Sequence, residues 1–138
     1  VMAKVLCGLG IRHAMVVHGE DGFDEISISA PTKVAEIKDG GIFEYTITPE
    51  QFGLPLAEKE EVVGGSPEEN ALITQGILAG TIRDAKRNIV LLNAGCALYV
   101  VGQAGSIGDG VALAAEMIDS GAALAKLEEL KQFTNALA

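Results

Sequence analysis

The chain has 138 residues, 49% of them hydrophobic, enough for one domain with a core of its own. Its 19 acidic and 10 basic residues leave a net charge of −9. Of these, 13 acids and 3 bases lie between Gly19 and Glu69, so no basic stripe is available for nucleic-acid phosphates or an anionic membrane. No apolar run reaches the roughly 18 residues of a transmembrane helix, and no signal peptide opens the chain. Cys7 and Cys96 lack metal-type spacing and read as reduced core thiols of a cytosolic protein.

Val1 to Gly10 reads as the last turns of a helix closed by glycine, which suggests an internal or C-terminal piece of something longer. Arg12 to His18 is a short apolar run, as expected for a strand buried on both faces in a parallel sheet. A Gly- and acid-rich loop, Gly19 to Glu25, follows it. Ile26-Ser27-Ile28-Ser29 then alternates apolar and polar like an edge strand, and Pro31 breaks it. Thr32 to Lys38 alternates again, Asp39-Gly40-Gly41 offers a hairpin turn, and Ile42 to Ile47 completes the hairpin.

Pro49 to Gly65 shows neither helical nor strand period. Ser66, Pro67 and Glu69 then mark a helix start with a capping box, and the helix should stop near Gly80. A central helix is expected from about Arg83 to Val101, with Ile89, Leu92, Cys96, Tyr99 and Val100 at three- and four-residue spacing. Ser106 caps another helix to about Asp119, and Ala122 to Ala136 forms a last one.

The loop from His18 to Glu25 carries the most chemistry, because open α/β sheets place ligands beyond the C-terminal ends of their strands. Asp24 and Glu25 are adjacent hard-oxygen donors suited to Mg²⁺, provided a turn brings them to one side. Solvated loop carboxylates are the commoner meaning of such a pair. His18 could serve as acid, base or anion donor, against a strand-end histidine bonded to backbone; His13 is blander still. The glycines of 8–10 and 102–110 lack the setting of a phosphate loop. Gly64 to Asn70 opens a helix, but capping residues compete for its free amides.

Taken in order, several segments resemble the C-terminal part of the anthranilate phosphoribosyltransferase family. They are Val16 to Ser27 (Val-Val-His-Gly-Glu-Asp-Gly-Phe-Asp-Glu-Ile-Ser), Ala30 to Val34, Pro49 to Leu54, Gly64 to Ala71, Leu91 to Ala94 and Ile118 to Ala123. The resemblance covers essentially the whole chain, residues 1–138, and implies a partial α/β catalytic domain of the nucleoside phosphorylase/phosphoribosyltransferase type. That domain would hold one core parallel strand, a small antiparallel hairpin and four to five helices. It further implies transfer of the 5-phosphoribosyl group from phosphoribosyl diphosphate to anthranilate with Mg²⁺ as cofactor, in a cytoplasmic homodimer of tryptophan biosynthesis. Asp24 and Glu25 match the family's metal-binding pair. The family's glycine-rich diphosphate loop, its Lys-His-Gly-Asn-Arg segment and its anthranilate-contacting arginine lie earlier and have no counterpart here. Gly95-Cys96 also stands where the family usually has two alanines. No catalytic residue is therefore expected in this chain, which by itself should be inactive. A non-catalytic interaction module and a nucleoside phosphorylase relative remain as alternatives.

Overall fold

The computed structural model describes residues 1–136. Three strands, β1 (His13–Gly19), β2 (Thr32–Lys38) and β3 (Gly41–Ile47), form one antiparallel sheet in the order β1-β2-β3. Five helices accompany them: α1 (Met2–Gly8), α2 (Pro67–Leu78), α3 (Ala85–Val100), α4 (Ile107–Asp119) and α5 (Ala122–Asn135). The α/β class expected from the sequence holds.

The β2–β3 hairpin turns as its sequence requires. Asp39 and Gly40 both have positive φ, 50° and 78°, the pairing a two-residue turn needs to match strand twist. β1 departs from expectation. Among the described residues its ladder partner is β2, antiparallel, from His13 opposite Lys38 to Gly19 opposite Thr32, and no parallel partner is present. Its apolar run reflects half-burial along most of the strand instead: Met15 and Val17 pack on the core, while Val16 lies on the other face. An apolar run of this length does not distinguish the two cases.

Ile26 to Ser29 is not a strand either. The segment folds inward, burying Ile26, Ser27 and Ile28. Its backbone is satisfied mostly by side chains rather than a ladder, with the Ile28 carbonyl accepting from Ala57 N–H at 3.1 Å. Ser27 N–H donates to Thr32 Oγ1 at 2.9 Å, and Ser29 and Ala30 N–H donate to Ser27 Oγ at 3.0 and 3.1 Å. Hydroxyls that capture nearby amides compete directly with strand pairing.

Helices α2 and α4 begin where their caps predict. Ser66 accepts from Glu69 N–H, and Glu69 accepts in turn from Ser66 N–H. Ser106 accepts from Asp109 N–H, and Asp84, which lies inside the expected span from Arg83, caps α3 by accepting from Lys86 N–H. The main core joins the sheet to α3 and α4 through Ile26, Ile28, Val34, Ile47, Leu91, Leu92, Cys96 and Val111. α1 packs on the opposite sheet face, where Ala3 and Ile37 are buried. The helix pair α3–α4 meets backbone to backbone at Gly95 and Gly110. A Cβ on Gly95 would stand 2.6 Å from Val111 N, and one on Gly110 would land on the Gly95 carbonyl. Glycine at 95 thus belongs with the close approach of α4.

Candidate functional site

β1 ends at Gly19, and the chain leaves it through a tight loop. Gly19 N–H donates to the Phe23 carbonyl, Gly22 N–H to the Gly19 carbonyl, and Glu20 N–H to the Pro31 carbonyl. A Cβ on Gly19 would meet Asp21 Oδ1 at 2.6 Å and the Cβ atoms of Ser27 and Phe23 at 3.1 and 3.2 Å, so a side chain there would displace Asp21 or its neighbours. Inside the loop Asp21 accepts from the hydroxyls of Ser27 (2.6 Å) and Ser29 (2.5 Å) and more weakly from Phe23 N–H. Partial burial alone would raise the Asp21 carboxyl, but these donors outweigh it and hold it below the usual range. Lys59 reaches across from the long connection, donating to the Asp21 carbonyl at 2.8 Å and sitting 4.7 Å over the Phe23 ring.

Asp24 and Glu25 stand at the crest of this loop. Both are exposed and lie in bends rather than a strand, so the backbone does not alternate them to opposite faces of a sheet. Among the described residues neither makes a hydrogen bond or an ion pair, whereas Asp21 is fully engaged. Desolvation, then the charge of Asp24, raise the Glu25 carboxyl above its usual value. The two negative charges repel each other. Among the described residues no group of three metal-ligating side chains exists, so a cation here would take two protein carboxylates and complete its shell elsewhere. That donor set fits Mg²⁺, which keeps waters or phosphate oxygens when bound to one or two carboxylates.

The other candidates separate cleanly. His18 is exposed and, among the described residues, bonded to neither backbone nor carboxylate, so the backbone-bonded reading fails. It lines a shallow groove on the outer sheet face with Lys33, Glu44 and Thr46. The amides at the start of α2 are taken by capping, with Asn70 Oδ1 also accepting from Gly65 N–H at 2.8 Å, which leaves little for an anion. Both cysteines are free thiols. Burial first, then the nearby Glu36 charge, push Cys96 up to about 12, where a thiol is unreactive.

One cluster escapes a reading by motif. Glu36 lies buried on the core side of β2 and accepts from Tyr99 Oη (2.8 Å) and Tyr45 Oη (2.9 Å), with His13 Nε2 at 3.0 Å. Lys38 donates to Tyr99 Oη, and the His13 ring stands edge-on to Tyr99. The cluster ties α3 to all three strands. Its only trace in the sequence is parity, since Glu36 shares the inward alternation of Val34. Burial alone would raise the Glu36 carboxyl, but the Tyr99, Tyr45 and His13 contacts prevail and lower it below its ordinary 4.5. A carboxyl lowered by folding stabilises the fold above its unfolded pKa and loses that contribution as pH falls through the folded one. Wild-type stability should therefore drop below about pH 4.5 more steeply than that of Glu36→Gln. At pH 7 Glu36→Gln should cost about 2 kcal/mol, the scale of a charged hydrogen bond lost among buried partners. Urea titrations between about pH 3 and 7 check both statements.

Comparison with known proteins then places the chain. Residues 1–124 match the family model described as "Glycosyl transferase family, a/b domain". The anthranilate phosphoribosyltransferase of Methanobrevibacter smithii is 50% identical over 135 residues, covering 98% of this chain and 40% of that protein. The crystal structure of anthranilate phosphoribosyltransferase from Thermus thermophilus superposes with a TM-score of 0.84 at 40% identity, over 93% of this chain and 37% of that one. The Saccharomyces cerevisiae enzyme in complex with PRPP and Mg superposes with a TM-score of 0.74 at 30% identity, over 84% of this chain and 33% of that one. The chain thus spans about 40% of the length of the curated relatives it matches.

Proposed function

This chain belongs to the glycosyl transferase family, within its a/b domain, and on that premise we propose that it is the C-terminal portion of an anthranilate phosphoribosyltransferase. The complete enzyme would act in tryptophan biosynthesis, in the cytoplasm and as a homodimer. It would transfer the 5-phosphoribosyl group of phosphoribosyl diphosphate to anthranilate. The amine nitrogen bonds to the anomeric carbon and the carbon–oxygen bond to diphosphate breaks. Its electron pair leaves with diphosphate, and the amine gives up a proton. Among the described residues no helix is long and apolar enough to cross a membrane.

The observation that carries this reading is the pair Asp24 and Glu25, two free carboxylates on one exposed turn beyond the end of β1. These residues would hold Mg²⁺, and the ion would supply charge neutralisation for the departing diphosphate. Their own part is binding and placement. Asp21, equally acidic, is excluded because Ser27 and Ser29 occupy it. The donors that hold the phosphates and anthranilate would lie in the portion of the enzyme that precedes this chain, so no proton transfer is assigned to a residue here.

Assaying the full-length protein tests the proposal. With phosphoribosyl diphosphate, anthranilate and Mg²⁺ it should form phosphoribosyl-anthranilate and release diphosphate, and chelation should stop it. Cleavage of a nucleoside by inorganic phosphate, with anthranilate untouched, would assign the domain to a phosphorylase instead.

A further inference from the structure

The Asp24–Glu25 turn bears the carboxylates, but a residue far along the chain holds it in place. Asn93 of α3 accepts from Ile26 N–H at 3.0 Å and donates to the Ile26 carbonyl at 2.9 Å. It thereby grips both polar groups of the residue that follows Glu25. Its second amide hydrogen goes to the Ile89 carbonyl one turn back on α3, at 3.0 Å, which sets the rotation of the amide. All three bonds need a short planar group with donors at one end and an acceptor at the other, and the asparagine amide supplies that combination.

We infer that Asn93 is a positioning residue for the carboxylate pair, fixing through Ile26 where Asp24 and Glu25 stand relative to α3. The inference rests on the reading of those two residues as the Mg²⁺-holding pair. Neither carboxylate is bonded to any described residue, so their placement depends on the backbone that carries them. That backbone is pinned on one flank by Asp21 with Ser27 and Ser29, and from outside the loop by Asn93. The Ile26 side chain, 3% exposed, seats the same residue in the core. Without the amide, the Ile26 backbone would have to find other partners, and the turn would be free to swing its two charges apart. Groups that orient metal ligands from behind typically contribute 10- to 100-fold to metal affinity.

The test uses the full-length enzyme with Mn²⁺ as the probe, its binding followed by electron paramagnetic resonance in the presence of phosphoribosyl diphosphate. Asn93→Ala should weaken Mn²⁺ about 10- to 100-fold. It should raise the Mg²⁺ concentration for half-maximal rate by a similar factor and leave KM for anthranilate unchanged. Added to Asp24→Asn/Glu25→Gln it should cause no further loss of Mn²⁺ affinity. Wild-type Mn²⁺ affinity in folded Asn93→Ala would overturn the inference. Wild-type affinity in the carboxylate double variant would overturn the underlying reading, whatever Asn93 does. If Asn93→Ala does not accumulate as folded protein, Asn93→Ser replaces it, because its hydroxyl can satisfy the Ile89 carbonyl while releasing Ile26. Weakened Mn²⁺ in that variant supports the inference and unchanged Mn²⁺ overturns it.

Discussion

Asp24→Asn combined with Glu25→Gln in the full-length enzyme should lower kcat/KM at limiting Mg²⁺ by roughly 10²- to 10³-fold, the scale of losing one strong electrostatic group in a transfer site. Diphosphate leaves with several negative charges, and a chain of net charge −9 can accommodate them only through a cation or through basic groups elsewhere. Lys59, which reaches this loop from the long connection, is spent on the Asp21 carbonyl and the Phe23 ring, and Lys33 pairs with Glu20. Raising Mg²⁺ should recover part of the rate, because the amide oxygens left behind still bind weakly. The fold should not suffer. Burial and the charge of Asp24 raise the Glu25 carboxyl, so the pair repels in the absence of metal, and neutralising it should leave the melting temperature level or slightly higher. Rates are to be followed over a Mg²⁺ series beside thermal melts of both proteins. Wild-type Mg²⁺ dependence in the double variant would remove the metal role from this loop.

The parts of this fold that sequence made legible are those fixed by a few neighbouring atoms. Ser66 with Glu69, Ser106, and Asp39-Gly40 each satisfy local backbone or adopt a φ that their residue types favour, and each stands as expected. What misled was pattern that two structures share. The apolar run of β1 suits a parallel strand as well as an antiparallel one packed on a core, and nothing in the run itself says which partner pairs with it; among the described residues that partner is β2, the next strand in the chain. Ile26 to Ser29 alternates like a strand, yet its serines bond to local amides and to Asp21. The candidate site divides the same way. Asp24 and Glu25 were visible as a motif, whereas the Asn93 grip spans 67 residues and becomes apparent only when α3 is laid against the loop. A polar residue inside a helix as apolar as α3 was nonetheless a signal that something opposite needed satisfying.

The isolated 138-residue chain should self-associate and should form no phosphoribosyl-anthranilate. Its accessible surface is 8161 Å², where a compact monomer of its mass would expose about 6,800 Å². The excess, about a fifth, is not spread evenly. α2, α3, α4 and α5 line an apolar groove that includes Leu78, Val90, Ala94, Leu98, Val101 and Met117, with Val101 at 68% exposure. Among the described residues β1 is paired along one edge of the sheet only, so a row of backbone donors and acceptors offers itself to another chain. Apolar patches of this kind on monomers mark surfaces meant to be covered. The cover proposed here is the preceding portion of the enzyme, which would bring the phosphate- and anthranilate-holding groups as well. Sedimentation of the purified chain at micromolar concentration should show dimers or larger species. Adding that portion as a separate polypeptide should disperse them and restore measurable turnover. A well-behaved monomer that resists partnering would favour a self-sufficient interaction module, and one that turns over unaided would place the missing groups within these 138 residues.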